Sequence, residues 1–129
     1  MSGEDLSGSW SGFYSYPNEA QPPVAFNAKL FDSAGSLTGT TTEVDPYDGT
    51  RLQAVVDGRR AGRLVAFLKM YDGADEFYDS VHYEGEVSAE ADEIAGRWIV
   101  PGVWSGSFVM VRSSGARVEE LREEAVEYR

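Results

Sequence analysis

Glu43 is the acidic residue of this chain that is best placed for chemistry. It ends the alternation Leu37, Gly39, Thr41, Glu43, which puts it on the inner face of a predicted strand. A carboxylate on a buried face needs a charged or hydrogen-bonding partner. Glu43 is therefore predicted either to bind a ligand amine or hydroxyl, or to reach water past the rim, with Lys69 or Arg51 as the candidate countercharge.

Other signs of catalysis are sparse in the sequence. The single histidine, His82, alternates with Val81 and Tyr83 and is predicted to face outward. The sequence contains no phosphate-binding loop, dinucleotide fingerprint, G-x-S-x-G element or metal-spaced histidines. We therefore expect no catalytic residues and no enzyme. The alternative is a barrel enzyme of the isomerase or cyclase type, with Glu43 as general base and Tyr83 or Tyr14 as proton donor.

Residues 71–79, "YDGADEFYD", carry several carboxylates that are able in principle to hold Ca²⁺. Their spacing misses the D-x-[DN]-x-[DN]-G pattern, so this segment is interpreted as a solvated turn. We expect neither a metal ion nor a cofactor.

The charge and composition of the chain argue against nucleic acid or a membrane as its partner. The net charge of −11 repels nucleic-acid phosphates, and no apolar stretch is long enough to span a membrane. Residues 1–9 are polar and acidic, unlike a signal peptide, so we expect a soluble cytoplasmic protein. Cysteine is absent, which excludes disulfides and thiolate metal sites.

The chain reads as short alternating segments separated by turn signals, which is typical of an all-β protein. The eight predicted strands are Ser9–Tyr16, Val24–Asp32, Leu37–Val44, Arg51–Val56, Arg63–Tyr71, Ser80–Val87, Glu93–Val100 and Val103–Arg112. Their short sequential links favour an eight-stranded antiparallel up-and-down β-barrel, since closure removes exposed strand edges. The alternative is a two-sheet sandwich, whose crossing connections require longer links.

The spacing of the apolar residues changes near the C-terminus. Val118, Leu121, Ala125 and Tyr128 recur at helical spacing among charged residues, which predicts a short C-terminal α-helix. We therefore divide the chain into a barrel domain over residues 1–114 and a helix over residues 115–129.

Strand direction predicts a contact at one end of the barrel, which we call the floor. Trp10 begins the first strand and Arg112 ends the last strand, on its inward face. A guanidinium over an indole ring there would form a cation–π contact and bring its donors within reach of floor carbonyls.

Gly8-Ser9-Trp10 with Arg112 resembles the floor signature of the calycins, which include lipocalins, fatty-acid-binding proteins and avidins. The eight strands and the "DSAGSLTGTTTE" hairpin most resemble the avidin branch. The resemblance implies a lumen that binds a small molecule. It does not imply biotin, because Gly12 and Tyr16 stand at the positions where the family's first-strand motif has polar biotin contacts.

The end opposite the floor, which we call the mouth, has longer loops that carry Tyr16, Tyr47, Phe77 and Tyr78. The sequence predicts that a small hydrophobic or aromatic molecule enters there. The candidate ligand-binding residues that strand parity places inside or near the mouth are Tyr14, Phe26, Glu43, Tyr83, Trp98, Trp104 and Phe108. The alternative is a structural or interaction protein whose barrel is filled by these side chains.

In the fourth and fifth predicted strands, the sequence does not show which alternate side chains point into the barrel. Both faces of "RLQAVV" and "RLVAFLKMY" are largely apolar. An apolar outer face indicates that something covers it. We expect a homo-oligomer, a dimer or larger, or a docked C-terminal helix.

Overall fold

A computed structural model describes residues 5–19, 21–45, 48–72 and 80–113 of the chain. Eight strands pair antiparallel in sequence order, and β1 also pairs with β8, so the sheet closes into a barrel. This confirms the predicted up-and-down barrel and excludes the sandwich. The strands are β1 Gly8–Ser15, β2 Val24–Ser33, β3 Ser36–Val44, β4 Arg51–Ala61, β5 Leu64–Tyr71, β6 Ser80–Val87, β7 Glu93–Val100 and β8 Trp104–Arg112.

The predicted end of β4 is wrong. The segment "DGRRAG" was predicted as a turn after Val56, whereas the strand continues to Ala61. Gly58 is needed there for close packing: a Cβ atom on it would lie 2.4 Å from Cβ of Phe67 on β5. The chain reverses instead at Gly62, whose φ of +61° suits glycine.

The floor half of the barrel is a packed apolar core. Alternate residues point inward, and the largest of them are completely enclosed, at 0–1% exposure. The apolar members of this group include Trp10, Leu30, Leu37, Ile94 and Met110. The floor half thus has no room for a ligand among the described residues.

The floor contact predicted between β1 and β8 is present. The Arg112 guanidinium lies 4.8 Å from the centre of the Trp10 ring, and Trp10 Nε1 donates to the Leu6 carbonyl. Arg112 donates to the carbonyls of Ser7 at 2.8 Å and Ala91 at 2.9 Å. Gly8 leaves the space for this arrangement, since a Cβ atom there would lie 3.2 Å from Arg112 Nη1.

The structure resolves the ambiguous parity of β4 and β5. Val56, Phe67 and Lys69 point inward, whereas Val55 and Leu64 are exposed on the outer face. Whether a second copy of the chain covers that face stays a prediction.

Several expectations concern residues outside the described ranges. They include the C-terminal helix with its domain division, most of the acidic segment 71–79, and the mouth residues Tyr47, Phe77 and Tyr78. Within the described residues, no helix has the length and apolar character needed to cross a bilayer.

Candidate functional site

A pocket of about 310 Å³ opens at the mouth of the barrel. Its wall is mainly aromatic, and the described residues that line it are Tyr14, Tyr16, Tyr71, Ser80, Val81, Tyr83, Trp98, Val100, Val103 and Trp104. They come from β1, β5, β6, β7 and β8 and from the links at this end. The volume lies at the lower end of the range for small-molecule sites.

One side of this pocket is a set of mutually packed rings. Tyr16 contacts Trp98 edge to face at 5.4 Å between centroids and Trp104 at 4.9 Å. Trp98 is fixed further by a hydrogen bond from its Nε1 to the Ser15 carbonyl, whereas Trp104 is 37% exposed at the rim. This wall is therefore closely packed around Trp98 and open to solvent at Trp104.

Adjoining the pocket, through Tyr14 and Tyr71, is a buried polar cluster centred on Glu43. Its Oε1 accepts hydrogen bonds from Lys69 Nζ at 2.7 Å and from the Tyr71 hydroxyl at 3.0 Å. Its Oε2 accepts one from the Tyr14 hydroxyl at 2.5 Å. Both carboxylate oxygens are thus occupied, which satisfies a charge that is 5% exposed.

The Lys69 ammonium is enclosed by aromatic rings as well as by Glu43. Its Nζ lies 5.0 Å from the ring centre of Tyr14, 5.1 Å from Phe26, 4.9 Å from Tyr71 and 5.6 Å from Tyr83. Electron-rich ring faces attract a cation that has lost its water. Of the two candidates, Lys69 is therefore the countercharge of Glu43, whereas Arg51 is exposed.

Burial governs the ionisation of this cluster. It lowers the pKa of Lys69, although the neighbouring carboxylate of Glu43 opposes that change. Burial, reinforced by the negative charge of Glu43, raises the pKa of Tyr14, Tyr71 and Tyr83 far above its ordinary value. The three phenols are therefore neutral hydrogen-bond donors throughout the physiological range.

Of the seven candidate ligand-binding residues, Tyr14, Tyr83, Trp98 and Trp104 line the mouth pocket. The other three lie outside its lining. Phe26 packs beside Lys69, Glu43 is held in the polar cluster, and Phe108 packs edge to face against Tyr83 at 5.0 Å.

Tyr71 is the main residue that the sequence analysis missed. It both lines the pocket and hydrogen-bonds Glu43. The signal was its spacing of two residues from Lys69, which puts the two side chains on one face of β5. That signal was usable only once the parity of β5 was known.

Gly12 faces the interior where the avidin motif has a polar side chain. A Cβ atom on Gly12 would lie 2.6 Å from the Phe26 ring and 2.9 Å from Cβ of Met110. The space at this position is filled by neighbouring side chains, so a polar side chain there has no room to reach a ligand.

No group of histidine, cysteine and carboxylate side chains able to hold a metal ion occurs among residues 5–19, 21–45, 48–72 and 80–113. His82 is exposed on the outer face of β6, as predicted. In the described part of the chain, the inward chemistry is that of the tyrosines, Glu43 and Lys69.

The fold and site define a small closed antiparallel β-barrel with a shut floor and an aromatic pocket at its mouth. This architecture is compatible with a calycin-like barrel. A comparison with models of known protein families finds no match, and a comparison with curated proteins finds none either.

Proposed function

We propose that this barrel is a non-enzymatic binding protein for a small, largely apolar or aromatic molecule held in the mouth pocket. The observation that carries the proposal is the pocket of about 310 Å³ with its wall of tyrosines and tryptophans. Apolar walls with a few fixed polar groups are typical of small-molecule sites. The calycin-like form of the barrel is consistent with this function.

The contents of the barrel favour binding over a purely structural role. Large apolar side chains fill the floor half, whereas the mouth half contains a polar cluster and an open cavity. A barrel whose only requirement was stability would gain by burying apolar side chains in place of the Glu43–Lys69 pair.

The contacts of Glu43 favour binding over catalysis. A general base must lie within hydrogen-bond reach of the substrate proton. Glu43 does not line the mouth pocket, and both of its carboxylate oxygens already accept hydrogen bonds from Tyr14, Lys69 and Tyr71. Glu43→Gln distinguishes the alternatives: a binding barrel keeps its affinity for an apolar probe, whereas a barrel enzyme loses turnover.

The binding function is tested with N-phenyl-1-naphthylamine, a neutral apolar dye whose fluorescence rises in a dry site. We expect saturable binding that weakens about five- to tenfold in Trp104→Ala, since that ring forms the pocket rim. Phe31→Ala is the matched control, because Phe31 is 57% exposed on β2 near the floor. Failure to saturate, or equal weakening in both variants, would overturn the proposal.

A further inference from the structure

The Tyr83 hydroxyl differs from the two other phenols at the base of the pocket. Tyr14 and Tyr71 donate to Glu43. Tyr83 is 4% exposed and lines the pocket, yet within the described residues its hydroxyl makes no hydrogen bond. The Tyr83 hydroxyl is thus a polar group of the pocket wall that no described residue occupies, and it is available to a ligand.

The Tyr83 ring is held firmly enough to present that group in one direction. It stacks on Phe67 with 4.9 Å between centroids and an interplanar angle of 5°, and Phe108 meets it edge to face. A fixed aromatic ring with a free hydroxyl is preorganised to hydrogen-bond a ligand atom.

Charge at the pocket restricts what that ligand atom can be. The described lining residues include no charged side chain, and the nearby charges of Lys69 and Glu43 neutralise each other at 2.7 Å. A carboxylate ligand would find no free cation there, and the net charge of −11 would repel it. An ammonium ligand would find no free carboxylate among those residues. A neutral ligand fits this environment.

The protonation state of Tyr83 supports its role as a hydrogen-bond donor to the ligand. Burial, followed by the charge of Glu43, raises the pKa of this phenol. It therefore remains protonated and keeps an O–H group that an acceptor atom on the ligand can pair with.

We propose that the ligand is a neutral aromatic molecule with a carbonyl oxygen, as in a ketone, aldehyde or ester, and that this oxygen accepts a hydrogen bond from the Tyr83 hydroxyl. The inference rests on the proposed binding function and adds the chemical class of the ligand. Tyr83 is then a specificity-determining residue, because discrimination against an analogue lacking the acceptor comes from leaving a buried donor unpaired.

The test compares two ligands of similar size, 2-acetylnaphthalene and 2-isopropylnaphthalene, by quenching of tryptophan fluorescence. We expect the native protein to prefer the ketone by about five- to twentyfold, which corresponds to one buried hydrogen bond. Tyr83→Phe should abolish the preference, because it weakens binding of the ketone more than binding of the hydrocarbon. Phenylalanine keeps the ring contacts of Tyr83, so this variant tests the hydroxyl alone.

Tyr71→Phe is the matched control, since it also removes a pocket hydroxyl but one that already donates to Glu43. We expect it to retain the preference for the ketone. A second readout is the emission of 6-propionyl-2-dimethylaminonaphthalene, which shifts to the red when its carbonyl accepts a hydrogen bond. Its bound emission should shift further to the blue in Tyr83→Phe than in Tyr71→Phe.

The outcomes separate this inference from the binding function itself. Equal affinity of the native protein for ketone and hydrocarbon, or tighter binding of 2-naphthoate than of either, would overturn the assignment of a neutral carbonyl ligand and leave the binding function standing. Saturable binding of none of these probes, nor of N-phenyl-1-naphthylamine, would overturn the binding function.

Discussion

The ammonium nitrogen of Lys69 on β5 lies 2.7 Å from the carboxylate of Glu43 on β3, across the intervening strand β4. The pair is almost completely buried, with side chains that are each 2% exposed. An ion pair in this position crosses the barrel interior and ties together strands that are not neighbours. Two residues that line the aromatic pocket, Tyr14 and Tyr71, donate hydrogen bonds to the Glu43 partner of this pair.

Breaking this pair from one side should be far more costly than replacing both partners. Lys69→Met leaves the carboxylate of Glu43 buried without its cation, and we expect a loss of about 3–5 kcal/mol in the free energy of unfolding. Glu43→Leu combined with Lys69→Met should lose much less than the sum of the single changes. Urea unfolding of the native protein and the three variants measures this coupling. Additive losses would show that the pair contributes no mutual stabilisation.

Alkaline pH should unfold the protein through its buried phenols. The pKa of each buried tyrosine is higher in the folded than in the unfolded protein, where it has its ordinary value of 10.0. The stability linked to this difference is fully present below pH 10.0 and is lost as the pH rises above it. The lowered pKa of Lys69 has the opposite effect, because it makes the protein more stable as the pH rises towards 10.5, the ordinary pKa of lysine. The loss of stability from the tyrosines is therefore clearest above pH 10.5. Each phenol contributes a slope of about 1.4 kcal/mol per pH unit.

Urea unfolding between pH 10.5 and 12 measures the slope, and Tyr83→Phe should reduce it by about one proton. Tyrosinate absorbance should show Tyr14, Tyr71 and Tyr83 ionising only on unfolding. An unchanged slope in Tyr83→Phe would show that this phenol ionises alike in the folded and unfolded protein.

Much of this architecture could be predicted from the sequence because local pattern and global closure agree. Alternation and turn residues predicted eight strands, and direction around a closed barrel then placed Trp10 beside Arg112 and Glu43 on the inner face. Where one face of a strand is polar and the other apolar, the alternation of residue types alone identifies the side chains that point into the barrel.

The remaining features depend on packing that no local pattern contains. Gly58 has the residue type of a turn, but it lies inside a longer strand, where its lack of a side chain allows close packing against Phe67. On β4 and β5 both faces are apolar, so the inward direction of Lys69 and Tyr71 could not be deduced. The hydrogen bonds of Glu43 with Tyr14 and Tyr71, and the free hydroxyl of Tyr83, therefore became visible only in three dimensions.

Asp32 should be a main source of acid sensitivity at the floor. Partial burial raises the pKa of its carboxyl, but hydrogen bonds from the Leu6 amide, Arg60 and the Gly35 amide outweigh this and leave the pKa below its ordinary value of 3.8. The stability that Asp32 supplies is thus present above pH 3.8 and is lost as the pH falls through the lowered pKa.

Asp32→Asn should therefore destabilise the protein at pH 7 by about 1.5–3 kcal/mol, as expected for hydrogen bonds to a charged group. It should also flatten the loss of stability at acid pH, which urea unfolding between pH 2.5 and 7 measures. Asp57→Asn on the exposed outer face of β4 is the control, with an expected change within about 0.5 kcal/mol. If the two variants behave alike, the hydrogen bonds of Asp32 do not stabilise the floor.

The floor should require an arginine, and not merely a positive charge, at position 112. The planar guanidinium lies over the Trp10 ring while Nε donates to Ala91 and Nη1 to Ser7, and an ammonium has no fork of donors to reproduce that geometry. We expect Arg112→Lys to lower the free energy of unfolding by about 2–4 kcal/mol, since it loses charged hydrogen bonds and weakens a cation–π contact.

Arg97→Lys is the matched control, because Arg97 is 61% exposed and its ion pair with Glu84 spans 3.4 Å at the surface. That variant should change the stability by no more than about 0.5 kcal/mol. Urea unfolding followed by tryptophan fluorescence compares the two. Similar small losses would mean that the base of the barrel is closed by apolar packing alone, whereas the expected difference would assign its closure to the arginine fork.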